Sequence, residues 1–443
     1  MERFMTGYQH SVSLDPQKCK GCTHCLKHCP TEAIRVREGL ARIDAERCID
    51  CGECIRVCPY KAKKATHDTP DVLKKYKYKV ALPPPSLYGQ FDNLDDIDIV
   101  IQGLYDMGFD DVYEVAKAAE LCSEYSREYL SCADIPKPVI SSACPVIVRL
   151  IGMRFPYLCN NVMPILPPVE IAGALAREKA EKEHPELKPE EIGICFISPC
   201  PAKVSYVKNS FAGKKSSIDC VISVRDVYFD LIDKMKKTDN PERSTEAGVI
   251  GIGWASAGGE ATAIFNERYL AADGIENVIN VLEQIDNSDF PELDFVELNA
   301  CPGGCVGGVM TITNPYIAKA RLQSLRRYLP VAPNQSFSKD NIPDYVMADS
   351  PVEYVPEKRL AEDRNEAFRM MSDIQAIREM LPDIDCGSCG APTCAAFAED
   401  VVRGDACVDD CTIIMRMLFH ESLEQRKDAS RTESNNENGS DDG

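Results

Sequence analysis

The 443-residue chain is poor in aromatic and histidine residues, with one tryptophan, six histidines and an aromatic content of 7%. It contains no run of about 18 apolar residues, the length that a membrane-spanning helix needs, and no apolar signal stretch at its start. Basic residues are also scarce, since 50 Lys and Arg face 70 Asp and Glu and leave a net charge of −20. Nucleic-acid binding needs clustered Lys and Arg, so this balance argues against it. The lack of a signal stretch and of a membrane span leads us to expect a cytoplasmic protein. The chain length predicts two to four domains.

Cysteine, by contrast, is abundant, with 22 residues. Disulfides are not expected in a reducing cytoplasm. The chain offers few other metal-ligating side chains, and thiolates in such numbers indicate iron–sulfur clusters.

Two cysteine runs near the start share the spacing C-x2-C-x2-C-x3-C-P. In this pattern three cysteines of a run hold one cluster and the fourth reaches the other cluster. The expected ligand sets are Cys19, Cys22, Cys25 and Cys58 for one cluster, and Cys48, Cys51, Cys54 and Cys29 for the other. A zinc ribbon would pair two C-x2-C units across a longer gap. We interpret residues 1–70 as a small α+β ferredoxin domain that binds two [4Fe–4S] clusters and transfers electrons.

Three later segments, 141–145, 198–203 and 297–308, each place cysteine in a glycine-, proline- or serine-rich setting. Their cysteines are Cys144, Cys200, Cys301 and Cys305. Each segment follows a short apolar stretch that predicts a strand, at 138–141, 193–197 and 295–298. Open α/β sheets bind ligands beyond the carboxyl ends of their strands. The sequence therefore predicts an α/β core with cluster-binding loops at strand ends, and a further buried strand at 248–253.

These segments resemble the three cluster-binding motifs of the [FeFe]-hydrogenase large-subunit family, over about residues 78–330. The resemblance implies that Cys144, Cys200, Cys301 and Cys305 hold a [4Fe–4S] cube. It also implies that Cys305 bridges to a diiron unit carrying CO, cyanide and a dithiolate. Lys203 matches the lysine that hydrogen-bonds a cyanide ligand, a role that suits a compact triple donor. Cys305 and Lys203 are therefore the expected catalytic residues.

The chain departs from this family at the proton path. Ala143 stands where the family has a proton-carrying cysteine, and Tyr206 replaces a glutamate of the same relay. A phenol with a reference pKa near ~10 is a poor relay at neutral pH. Ser198 and Asn299 replace two methionines that line the diiron pocket. The resemblance is thus to a divergent, sensory-type member with slow or sensory hydrogen oxidation and proton reduction. The alternative is a non-catalytic electron-transfer or iron–sulfur assembly protein whose four cysteines hold a cube and no diiron unit.

The last cysteine group has the spacing C-x2-C-x4-C-x16-C and resembles a single-[4Fe–4S] domain of electron-transport subunits and corrinoid iron–sulfur proteins. Its expected ligands are Cys386, Cys389, Cys394 and Cys411, with Cys407 as an alternative fourth ligand. We predict a linker at 331–365, a small helical domain at 366–425 and a disordered acidic tail at 426–443.

Five other cysteines lack ligand-like spacing, and we interpret them as buried structural thiols. They are Cys122, Cys132, Cys159, Cys195 and Cys220. Together the motifs predict four [4Fe–4S] clusters, with the diiron unit as a fifth centre if it is bound. The expected partners are a redox carrier such as ferredoxin or a signalling protein, and hydrogenase maturases if the diiron unit is present.

Overall fold

The computed structural model of the protein describes residues 8–209, 215–238, 241–287, 292–334, 342–355 and 359–437. These residues form two compact units that draw on interleaved parts of the chain. The first unit contains residues 8–13, 48–56 and most of 63–355, and the second contains 14–47, 57–62 and 359–437. Among the described helices, none combines the length and the hydrophobicity that a membrane crossing requires.

Eleven short strands occur in the described residues. They are β1 Val12–Leu14, β2 Ile34–Arg37, β3 Leu40–Ile43, β4 Lys63–Ala65, β5 Tyr78–Leu82, β6 Asp111–Val112, β7 Val139–Ile140, β8 Ile192–Ser198, β9 Cys220–Ser223, β10 Tyr269–Asp273 and β11 Phe295–Asn299.

Sixteen α-helices are also present in the described residues. They are α1 His24–Lys27, α2 Glu53–Arg56, α3 Pro85–Tyr88, α4 Asp98–Asp106, α5 Val115–Leu130, α6 Pro145–Arg154, α7 Pro168–Glu183, α8 Pro201–Lys208, α9 Val224–Met235, α10 Val249–Gly253, α11 Gly259–Ala263, α12 Ile275–Asp286, α13 Pro315–Leu325, α14 Arg364–Met380, α15 Cys394–Val402 and α16 Thr412–Glu437.

A four-stranded parallel sheet, in the order β6-β5-β8-β9, forms the centre of the first unit. All seven residues of β8 are buried, as expected for a parallel strand that is covered on both faces. Ile194 and Phe196 pack into one core with α5 and α7, whereas Cys195 and Ile197 pack into a second core with α4 and α9. The sheet thus holds the carboxyl end of β8 in a rigid, doubly covered frame.

A second parallel sheet, in the order β10-β11-β7, lies in the same unit. Its residues Ile140, Val296 and Leu298 pack with apolar side chains of α6 and α12. The strands predicted at 138–141, 193–197 and 295–298 therefore exist as β7, β8 and β11. The mixed α/β architecture with parallel sheets is as the sequence predicts.

The strand predicted at 248–253 is wrong, because Val249–Gly253 forms the short helix α10. The amides of Gly248 and Gly251 donate to Oε1 of buried Glu120 at 2.7 and 3.4 Å. The Glu120 carboxylate thus accepts hydrogen bonds from two amides that, in a strand, would be bound by a neighbouring strand.

The second unit contains the antiparallel hairpin β2-β3, in which Ile34 lies opposite Ile43, together with α1 and the helices α14 to α16. Helix α16 ends at Glu437, so the backbone is helical over 426–437, which the composition predicted to be disordered. The rest of that tail lies outside the described residues.

Candidate metal centre

Cys144 and Cys200 occupy equivalent positions, each immediately before a helix and just after a parallel strand. Cys144 precedes α6 and Cys200 precedes α8, and a proline fills the first helical position in both cases. Proline suits that position because it has no amide to leave unbonded there. Both sulfurs therefore lie at helix N-termini, where the helix dipole favours negative charge such as a thiolate.

The loop after β11 brings in Cys301 and Cys305 through tight glycine geometry. Gly304 has a φ of +91°, and a Cβ there would lie 2.4 Å from the amide nitrogen of Ala257. A Cβ on Gly308 would lie 2.2 Å from the carbonyl oxygen of Pro199, one residue before Cys200. Only glycine allows this loop to pack so closely against the segment that carries Cys200.

Lys203 joins the four cysteines, with its Nζ 3.9 Å from Cys305 Sγ. Burial raises the pKa of Cys200 to about 11, although Lys203 acts in the opposite direction. Burial and the neighbouring thiolates also raise the pKa of Cys301 well above its usual value. Burial alone would lower the pKa of Lys203, but the surrounding thiolates, Cys305 first, raise it above its ordinary value.

These charges fit a metal cluster. Cys200, Cys301 and Cys305 all have raised pKa values and so resist ionisation, and metal binding relieves this by releasing their protons and supplying positive charge. All four donors are sulfur, the ligand that iron–sulfur clusters use. Cys144, Cys200, Cys301 and Cys305 are thus suited to hold such a cluster, and Lys203 adds a cation that four ligands alone do not require.

Ser198 and Asn299 make hydrogen bonds beside the site. Ser198 Oγ donates to the Cys200 carbonyl at 2.8 Å, which shapes the turn that carries that ligand. Asn299 Nδ2 donates to Glu297 Oε1 at 2.7 Å. Both side chains therefore organise the site's protein frame.

Tyr206 and Ala143 offer no ready proton exchange. Tyr206 is buried on α8, and burial followed by the charge of Glu170 raises its pKa above the ordinary value. Ala143 contributes only its amide, which donates to Ser141 Oγ at 3.1 Å.

Glu260 is a buried acid that the sequence reasoning missed. Its Oε2 accepts a 2.6 Å hydrogen bond from Ser141 Oγ, while no partner for Oε1 occurs among the described residues. Burial, followed by the charge of Glu297, raises the pKa of Glu260 to about 8. Burial raises the pKa of Cys305, and both carboxylates act in the same direction. The only sequence signal was an acid directly after Gly258-Gly259, a pattern without ligand-like spacing.

Glu297 is held differently from Glu260. Its two oxygens accept hydrogen bonds from the amides of Gly258 and Ala261 at 2.9 and 2.8 Å, in addition to that from Asn299. A carboxylate with this many donors keeps its charge more readily than one with a single hydroxyl partner. Of the pair, Glu260 is therefore the better proton holder.

The second ferredoxin-type run belongs to the same unit as this site. Arg149 Nε donates to the Cys48 carbonyl at 2.9 Å, and Arg56 Nη2 donates to the Gly307 carbonyl at 2.9 Å. Asp50, between Cys48 and Cys51, is 1% exposed and accepts hydrogen bonds from Tyr8, Ser11 and Ser205. The segment with Cys48, Cys51 and Cys54 is thus firmly attached to the central unit.

The first run lies in the second unit, with Cys19, Cys22, Cys25 and Cys29, and so does Cys58. The Ala33 amide donates to Cys29 Sγ at 3.2 Å, and the Ala62 amide donates to Cys58 Sγ at 3.3 Å. The two final cysteines therefore have matching surroundings, as the sequence repeat implies. The pairing of Cys29 with Cys48, Cys51 and Cys54 stays a prediction.

In the C-terminal group, Cys386, Cys389, Cys394 and Cys411 line a single pocket together with Leu381 and Phe397. Cys407 is exposed and outside this lining. Asp385 Oδ1 accepts from the Cys394 amide at 2.6 Å, which fixes the loop that carries the first two cysteines.

The non-ligand cysteines divide into two kinds. Cys122, Cys159, Cys195 and Cys220 are buried, as the interpretation of structural thiols requires. Cys132 is exposed instead, because it lies beyond the end of α5 at Leu130, outside the helix face that packs into the core.

These features define an iron–sulfur protein with a central thiolate site at the ends of parallel strands. Residues 77–266 and 252–309 match the family described as iron only hydrogenase large subunit, C-terminal domain, and together they span more than half of the chain. The chain therefore belongs to the iron-only hydrogenase large-subunit family. Residues 11–59 match a 4Fe-4S dicluster domain, and residues 381–413 match an Fe-S cluster family.

The curated relatives cover only parts of the chain. Human nuclear prelamin A recognition factor is 24% identical over 264 aligned positions, and the match covers 46% of this chain and 56% of that protein. The uncharacterized protein MJ0119 of Methanocaldococcus jannaschii is 36% identical over 58 residues, 13% of this chain and 26% of that protein. The alignments thus span about half and about a quarter of these relatives.

Among solved structures, a variant of the [FeFe]-hydrogenase HydA1 from Chlamydomonas reinhardtii is similar, with 17% identity and a TM-score of 0.44. That alignment covers 58% of this chain and 87% of HydA1. A structure of HydA(deltaEFG), from work on [FeFe]-hydrogenase H-cluster assembly, gives 17% identity and a TM-score of 0.41, and covers 57% and 84% of the two chains.

Proposed function

We propose that the protein is a slow or sensory-type [FeFe]-hydrogenase that oxidises hydrogen and reduces protons reversibly, with electrons relayed through [4Fe–4S] clusters. The position of Lys203 carries this proposal. A plain four-cysteine cube needs no partly buried ammonium beside its ligands, whereas a diiron unit with cyanide ligands uses a compact cationic donor. Such a cofactor, when bound, supplies the chemistry that splits or forms hydrogen.

The chain's own residues would hold and orient that cofactor. Cys144, Cys200, Cys301 and Cys305 would be its thiolate ligands, and Cys305 would also serve the diiron unit. Lys203 Nζ, which lies 3.9 Å from Cys305 Sγ, would supply the cationic hydrogen-bond donor. The glycines of the third motif keep the backbone close to the site.

Proton exchange would be slow because Ala143 carries no ionisable group and Tyr206 keeps its proton at neutral pH. Glu260 can hold a proton near the site, and its hydroxyl partner Ser141 is hydrogen-bonded to the Ala143 amide. A single acid of this kind can hold a proton but does not by itself form a fast proton relay to solvent. Such an arrangement suits hydrogen sensing better than rapid hydrogen turnover.

We further propose four [4Fe–4S] clusters, a cytoplasmic location, and a redox carrier such as ferredoxin or a signalling protein as the partner. Hydrogenase maturases would supply the diiron unit. The alternative function, electron transfer or iron–sulfur assembly without a diiron unit, is supported by the absence of relay groups at positions 143 and 206.

Infrared absorption separates the two functions. Protein produced with hydrogenase maturases should show CO and cyanide stretching bands. Lys203→Met should weaken or abolish the bands, because it removes the ammonium donor. Lys208→Met is the matched control on the same helix, since Lys208 is exposed at the end of α8, and it should leave the bands unchanged. Fully matured wild type without bands would establish the alternative.

A further inference from the structure

In the second unit, the loop that carries the C-terminal cysteines is bonded to strand β2 of the ferredoxin hairpin. The Val36 amide donates to the Gly390 carbonyl at 2.8 Å, and Arg37 Nη1 donates to the Cys389 carbonyl at 2.7 Å. Gly390 has a φ of +83°, and a Cβ there would lie 1.9 Å from the Val36 carbonyl oxygen. The two backbones are therefore in direct contact beside an expected cluster ligand.

Asp400 on α15 stabilises this contact through hydrogen bonds from two arginines of β2. Arg35 Nε donates to both of its carboxylate oxygens, at 3.0 and 2.7 Å, and Arg37 Nη2 donates at 2.6 Å. Asp400 is only 6% exposed, so its charge is stable only with these partners. Hydrogen bonds between ionised groups are stronger than neutral ones, and removal of one partner leaves an uncompensated buried charge. Arg47 and Glu399 form a further pair, 3.1 Å apart, between the same two segments.

The same contact extends to residues adjacent to expected ligands of both clusters. Gly387 follows Cys386, and Leu26 follows Cys25. A Cβ on Gly387 would lie 3.2 Å from Leu26 Cδ1. Lys27 Nζ also donates to the carbonyl of Asp385, the residue before Cys386. Residues adjacent to an expected ligand of one group are thus in direct contact with residues adjacent to an expected ligand of the other.

We propose that the C-terminal cluster exchanges electrons directly with the ferredoxin cluster held by Cys19, Cys22, Cys25 and Cys58, and that Asp400 is the positioning residue that holds the two sites together. One electron leaves one cluster as it enters the other, and no bond is made or broken. The inference rests on the proposal that both sites hold [4Fe–4S] clusters. It makes the C-terminal module the end of an electron path and not a separately tethered domain.

Electron paramagnetic resonance of the reduced, reconstituted full chain tests this without reference to hydrogen turnover. Two reduced clusters held close together broaden each other's signals and speed their relaxation. The wild type should therefore show a ferredoxin signal that becomes narrower and relaxes more slowly in Cys386→Ser, which removes only the C-terminal cluster. A ferredoxin signal identical in the two proteins, each with its expected iron content, would overturn the inference.

Asp400→Lys tests the positioning role, because it places a third cation beside Arg35 and Arg37. Iron content should be retained while the broadening is lost. Asp373→Lys, an exposed position on α14, is the matched control and should keep the broadening. Full broadening in Asp400→Lys would show that Asp400 does not hold the sites together. If that variant fails to fold, the comparison of wild type with Cys386→Ser still decides the electron exchange. Iron absent from wild type would instead reject cluster binding itself.

Discussion

The two cysteine runs have the same spacing, yet their residues have different attachments. Three cysteines of the second run, Cys48, Cys51 and Cys54, lie in the unit that holds the central thiolates, where Arg149 and Arg56 bond that segment to the central residues. The first run lies in the unit of the C-terminal cysteines, where Arg35 and Arg37 bond it to Asp400. The same motif thus occurs in two neighbourhoods, that of the central thiolate site and that of the C-terminal cysteines. Residues outside the motif determine to which neighbourhood each run is bonded.

The two neighbourhoods also differ in chemistry. The central cysteines share their site with Lys203 and with two buried acids, whereas the C-terminal cysteines line a small pocket with Leu381 and Phe397. The first environment combines a lysine with an acid whose pKa is raised, a combination that suits the proposed chemistry. The second is lined by thiols and apolar side chains together with Asp385, Thr393 and Thr412, and it suits the proposed role in electron storage and transfer.

The largest expected difference in effect between the two neighbourhoods should come from Cys305→Ser. CO and cyanide bands and all hydrogen turnover should be lost, because in the proposed function this sulfur links the cube to the diiron unit. The ferredoxin clusters, which have their own cysteines, should keep their paramagnetic signals. Cys132→Ser, at an exposed thiol, is the control and should change neither readout. Bands that persist in Cys305→Ser would reject the bridging role.

Restoration of the proton path should raise turnover without any effect on the second neighbourhood. Ala143→Cys, alone or with Tyr206→Glu, returns ionisable groups to the relay, and such groups contribute typically ~10²–10⁴-fold. Hydrogen production, normalised to the intensity of the CO bands, measures the gain. A wild type already as fast as a full-relay enzyme would show that another proton route operates.

In the C-terminal neighbourhood, Cys411→Ser and Cys407→Ser should differ. Cys411 lines the pocket with the other three thiols, so its loss should remove one cluster, about four of roughly 16 irons per chain. Cys407 is exposed, so its replacement should leave iron and acid-labile sulfide unchanged. The opposite result would make Cys407 the fourth ligand, and stoichiometric zinc would exclude a cluster there.

The smallest expected effect concerns the proton on Glu260, whose titratable neighbours are Glu297 on β11, Cys122 on α5 and Cys305. With its pKa raised from 4.5 to about 8, Glu260 should be neutral at pH 7. Its contribution to stability is complete below the unfolded pKa and is lost as the pH rises through about 8. Wild type should therefore lose stability relative to Glu260→Gln between pH 5 and pH 8.5.

Two measurements check this expectation about Glu260. Denaturant unfolding of both proteins across that pH range gives the difference in stability. Infrared spectroscopy should show a protonated-carboxyl band at pH 7 that is absent from Glu260→Gln. A difference in stability that does not change with pH would mean that Glu260 is already ionised at pH 5.

The features that could be predicted from the sequence are those that depend on residues close together in the chain. The strands before Cys144, Cys200 and Cys301 follow from short apolar runs, and the order of motifs identifies the family. The remainder depends on partners distant in the chain. Glu260 is hydrogen-bonded to Ser141 and has a pKa raised by burial and by the charge of Glu297. The amides of Gly248 and Gly251 at the start of α10 are bound by Glu120 of α5. The attachment of α15 to β2 could not be predicted, because an arginine or aspartate alone does not indicate its partner.

The pairing of Arg35 with Asp400 also has a consequence for how the protein is made, because 365 positions separate the two residues. At a synthesis rate of about 5–20 residues per second, the ribosome needs roughly 20–70 s to travel from one to the other. During that time the cysteines of the first run have been produced, but the segment that bonds to the neighbouring strand β2 has not. The nascent chain must therefore protect these thiols from oxygen and stray metals, or receive their iron only after release. Contacts of such long range also slow folding, so this unit should be the last part of the protein to mature.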